Sequence, residues 1–184
     1  MQAKIMKKKD RGQVWVETVI YVLIGLSLIA LVLAFVMPKI NEKKDIIIVE
    51  QSIESLNVFD DKINTVIETG QGNRRIIDFN MKKGELYFDN KDNKIVFVIE
   101  DLSKPYSELD KDINVGRIKI KTTKAGKTNK VELSLGYSGI DLTFDGKNDV
   151  LPKKFTRSST PYRFAIENKG ISGQDYIIDI TQIS

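Results

Sequence analysis

Glu17 is the residue whose chemistry stands out first. From Thr18 to Met37 no side chain is charged, and most are Val, Ile or Leu. Glu17 sits at the start of that run, and a carboxylate at the edge of hydrocarbon is costly unless something pairs with it. It also suits the positive end of a helix dipole. Four residues before it comes a small polar junction, Gly12-Gln13, behind a basic head of Lys7, Lys8, Lys9 and Arg11.

Other chemistry-bearing residues weigh less. Ala125-Gly126-Lys127-Thr128 imitates the end of a phosphate-binding loop. The Gly required five residues before Gly126 is Lys121, and strand alternation rather than a helix follows, so a hairpin turn is expected. Asp89, Asn90, Asp92 and Asn93 offer oxygens to calcium but lack the spacing, the Gly and the terminal Glu of an EF-hand. They read as a solvated turn, as do Asp145 and Asp149. Gly70-Gln71-Gly72 reads as a helix stop. Arg117, Lys119, Lys121, Lys124, Lys127 and Lys130 form a basic strip without interleaved aromatics, the pattern of a wet sheet face rather than a nucleic-acid groove. No metal site and no cofactor are expected. The absence of His removes Ser-His-Asp and Cys-His nucleophile systems, and the absence of Cys leaves packing to stabilise the fold.

Elements follow from periodicity. An uncharged apolar run of ~20 residues is long enough to cross a bilayer as a helix. It is longer than an ordinary secretory h-region and no A-x-A site follows it. Pro38 should kink or end this helix. After the polar stretch Lys39 to Asp45 the helical pattern resumes. Ile46, Val49, Ile53, Leu56, Phe59 or Ile63, Val66 and Ile67 fall in steps of three and four, opposite Glu50, Gln51, Glu54, Asn57, Asp60, Asp61 and Lys62. Beyond Gly72 the period becomes two. Short runs at 75–81, 86–89, 94–99, 113–122, 131–137, 140–144, 162–167 and 176–183 read as about eight strands. The expected fold is α+β: a long N-terminal helix, then an antiparallel β-sandwich-like head. Its divisions are 1–12, a basic leader; 13–69, the helix, membrane-spanning to about residue 37; and 70–184, the β domain.

The whole chain carries a net +4, and the first twelve residues carry that same +4, from Lys4, Lys7, Lys8, Lys9 and Arg11 against Asp10. The basicity therefore belongs to the leader. Positive charge beside a membrane helix stays cytoplasmic, which places the N-terminus inside and the β domain extracytoplasmic.

Basic head, Gly12-Gln13, Glu17 and the long apolar helix together resemble archaeal type IV pilin-like proteins, whose leaders are class III signal peptides. In that family a prepilin peptidase cuts after the Gly, Gln is common as the first mature residue, and Glu follows four positions later. Bacterial type IV pilins usually have Phe where this chain has Gln13. The resemblance implies cleavage after Gly12, a new α-amine on Gln13, and pairing of such an amine with Glu17, commonly between neighbouring subunits. Pairing would make the carboxylate tolerable in low dielectric only when copies are in register. It also implies the partners: prepilin peptidase, other pilin subunits and the membrane, with no nucleic acid.

The function expected is thus a structural subunit of a pilus-like surface filament, a substrate of an enzyme rather than an enzyme. The alternative is a single-pass anchored extracytoplasmic β domain that binds a ligand and never polymerises. A surface hydrolase using acidic residues is a third, weakened by the lack of a convergent acidic pair.

Overall fold

The computed structural model describes residues 10–148 and 151–183. Lys7, Lys8 and Lys9 of the basic head, Lys4 of the leader, Asp149 of the acidic turn and Val150 of the connection after it lie outside the described residues. The chain divides into two compact units at Asn41/Glu42.

In the first unit lies the beginning of α1 (Asp10–Glu68). Every large apolar side chain from Val14 to Met37 is exposed. Among the described residues this is the one helix long and apolar enough to cross a membrane. The hydroxyls of Thr18 and Ser27 bond back to the carbonyls of Val14 and Leu23, at 2.9 and 2.7 Å, so they present little polarity to a surrounding apolar phase. Pro38 lies inside the helix and does not end it. Proline removes one i→i−4 bond, and the helix continues on both sides of that gap.

The second unit begins with the remainder of α1. Here one stripe is buried: Val49, Ile53, Leu56, Phe59, Ile63 and Val66. Phe59 and Ile63 are both in the core, where the spacing required only one of them. Ile46 is 37% exposed and falls outside it. The helix stops where Gly70 adopts φ +88°, a left-handed conformation that glycine accepts readily. The Asn73 side chain then donates to the Thr69 carbonyl at 2.6 Å.

Ten strands follow among the described residues: β1 (Arg74–Phe79), β2 (Glu85–Asp89), β3 (Lys94–Leu102), β4 (Asp112–Val115), β5 (Ile118–Ala125), β6 (Thr128–Gly136), β7 (Ile140–Phe144), β8 (Lys153–Thr156), β9 (Tyr162–Ser172) and β10 (Asp175–Ile183). They form a four-stranded sheet, β1-β9-β10-β7, and a six-stranded sheet, β4-β5-β6-β3-β2-β8. The α+β architecture expected from sequence is the one present.

Three details differ. The run at 113–122 is two strands, because Gly116 at φ +61° turns the chain between Val115 and Ile118. β8 lies in the stretch read as a connection; only Phe155 of its four residues points inward, too little to make a period. And β7 pairs with β10 in parallel, Leu142 opposite Ile178, while the other named strands pair antiparallel.

One core serves both sheets and the helix. The Phe59 ring lies 6.2 Å from Phe79 of β1, 5.9 Å from Phe164 of β9 and 5.7 Å from Phe88 of β2. A single helix residue thus bridges the two sheets. The outer edge of β7 is closed by local bonds: the Leu142 amide donates to Asn93 Oδ1 at 2.9 Å, and the Phe144 amide to the Lys147 carbonyl at 3.0 Å.

Candidate functional site

α1 begins at Asp10, so Gly12 and Gln13 lie in its first turn. The sequence suggests an exposed, flexible Asp10-Arg11-Gly12; the structure has all three in the helix, because helix propagates cheaply from an established run. Glu17 follows one turn after Gln13 on the same face. It is exposed, as are Trp15 and Tyr21 beside it. The Tyr21 hydroxyl donates to Glu17 Oε1 at 3.4 Å.

In the second unit a set of polar contacts fixes the helix on the sheets. Asp60 is buried, and Arg117 Nη1 reaches both its oxygens, at 2.8 and 3.0 Å. The guanidinium also lies 5.3 Å from the centre of the Tyr137 ring. The buried Tyr137 hydroxyl stands beside this pair; burial first, and the Asp60 charge second, push its ionisation far above the ordinary phenol range. Nearer the start of the unit, Asp45 accepts from the Ser103 amide at 2.8 Å and from the Ser103 hydroxyl, and pairs with Lys83 at 3.5 Å. Burial alone would raise the Asp45 carboxyl, but the Ser103 bonds and the Lys83 ammonium outweigh it and hold it below the usual range. Lys104 pairs with Glu42 at 3.0 Å.

These residues escape a motif search. Asp60 and Arg117 stand 57 positions apart. The sequence sets Asp60 on the polar face opposite the apolar stripe; the structure corrects this, burying it beside Phe59 where Arg117 can pair with it.

The remaining candidates resolve into structure. Gly126-Lys127 is the two-residue turn joining β5 and β6, with Ala125 opposite Thr128 and Gly126 at φ +61°. Of the proposed calcium donors, Asn93 Oδ1 accepts the Leu142 amide and Asn90 is buried, donating to the Lys147 carbonyl at 3.2 Å. No group of three or more metal-ligating side chains occurs among the described residues. Asp145 sits at φ +51° in a turn pinned by Asp179, whose Oδ1 accepts from Thr143 and the Gly146 amide, both at 2.7 Å.

The basic strip is broken up. Lys119 and Lys121 share the exposed face of β5, as alternation requires, but Arg117 turns back to Asp60. Lys119 pairs with Asp112 at 2.9 Å, and Lys121 stands between Asp112 and Glu132 across the ladders. A groove of about 240 Å³, lined by Ile48, Ser52, Asn80, Met81, Lys83 and Phe97, is smaller than a usual small-molecule site and holds no convergent acids. Set against protein-family models, curated proteins and solved structures, the chain matches none of them.

Proposed function

We propose that this chain is a structural subunit of a type IV pilus-like surface filament, of the archaeal pilin-like kind. It is held in the membrane as a precursor with its N-terminus cytoplasmic and is cut by a prepilin peptidase after Gly12. Its apolar helix half then packs with that of other subunits, and the β head lies outside the cell. It acts as a building part and as a peptidase substrate, not as an enzyme.

The observation that carries this reading is an uncovered apolar helix half that opens on Gly12-Gln13 and bears one carboxylate, Glu17, while the head's core closes without it. A helix that is apolar all round belongs in lipid or among other helices. In both settings a lone carboxylate is disfavoured and a paired one is tolerated. A new amine on Gln13 of a neighbouring copy supplies the pair.

Sequencing the N-terminus of the protein recovered from its native membrane or filament tests the cut. The expected start is Gln13. A chain still carrying its lysine cluster would instead support the anchored, non-polymerising β domain. Glu17→Ala is expected to leave the cut intact and to lower filament yield; normal yield from that variant removes the carboxylate from assembly.

A further inference from the structure

The proposed function leaves one interval unexplained: before any cut, no new amine exists, yet Glu17 is already at the edge of the hydrocarbon. We infer that Tyr21 is the positioning residue for Glu17, its hydroxyl holding the carboxylate in the uncut precursor. This inference rests on the membrane placement within that reading, but on neither processing nor polymerisation.

Geometry selects Tyr21. Side chains on a helix lean toward its N-terminus, so a residue reaches back over the position four earlier. Tyr21 therefore covers Glu17, and its hydroxyl donates to Glu17 Oε1. The adjacent hydroxyl, that of Thr18, is spent on the Val14 carbonyl of its own helix. The tyrosine side chain is 65% exposed, an apolar ring with a polar tip free to meet a surrounding apolar phase. A phenol that meets the carboxylate replaces part of the hydration the charge loses on entering an apolar phase. Tyr21 thus fixes where the carboxylate points.

The test is a double-mutant cycle on membrane insertion. Full-length precursor is synthesised in the presence of membrane vesicles without prepilin peptidase, and the alkali-resistant, inserted fraction is measured. Ile24, Leu28 and Leu31 are changed to Ala throughout, so that inserted and uninserted chains coexist. Tyr21→Phe is expected to lower the inserted-to-uninserted ratio by about three- to tenfold when Glu17 is present, the range of a side-chain hydrogen bond within a membrane. In the Glu17→Ala background, which has no acceptor for the phenol, the same change should leave the ratio unaltered. An equal loss in both backgrounds, no loss in either, or a loss confined to Glu17→Ala overturns the inference. The assay involves no cut and no second copy. A failure here therefore leaves a mature start at Gln13 fully possible, and a success does not require one.

Discussion

The two halves of α1 are one helix with opposite solutions to the same problem. From Val14 to Met37 apolar side chains point in every direction and all the large ones are exposed. From Val49 to Val66 they keep to one stripe, and that stripe is buried against two sheets. The second half satisfies its hydrophobic demand inside its own chain. The first half cannot, and must meet lipid or other helices. The difference teaches that helicity and partnership are specified separately. Residue type keeps the helix going through Pro38, while the angular spread of apolar side chains decides what the helix needs beside it.

Substitutions can break this contrast. Phe59→Ala should have the largest effect, about 3–5 kcal/mol of lost head stability, because the ring touches both sheets in a filled core. Urea unfolding of the full chain in detergent, followed by tyrosine fluorescence, would measure it. Leu28→Ala in the same assay should shift the midpoint little, since Leu28 is exposed. Leu28→Arg should instead cost about 3 kcal/mol in membrane insertion while sparing the head's unfolding curve.

Smaller effects sharpen the account of how the second half is held. Asp60→Ala should destabilise the head by about 1 kcal/mol, since the half-exposed Arg117 it releases can return to solvent. The smallest effect is a dependence on pH. The Asp45 carboxyl lies below its ordinary range in the folded head. Its contribution is therefore complete above the unfolded carboxyl value, about pH 4, and is lost as pH falls through the folded one. Head stability should decline at the acid end, and Asp45→Asn should flatten that part of the profile.

Sequence made the helix halves legible because apolar spacing acts locally: each buried side chain between Val49 and Val66 announces itself by its neighbours three and four away. The same logic found the longer strands and the turn at Gly126. It missed β8, whose single inward Phe155 leaves no alternation to detect. It missed the parallel pairing of β7 with β10, because pairing partners are chosen by the whole sheet and not by either strand. The pins Asp60–Arg117 and Asp45–Ser103 were hidden for a similar reason. Each joins ordinary polar residues more than fifty positions apart. Glu17, by contrast, was visible because a charge next to an unbroken apolar run needs no third dimension to look out of place.

The closed rim of β7 bears on what an encounter with another chain could do. A strand that leaves its amides bare invites a stranger's backbone. Here Asn93 and the Lys147 carbonyl already occupy the Leu142 and Phe144 amides. A second backbone arriving at this margin would find those two donors taken and no ladder to extend through them.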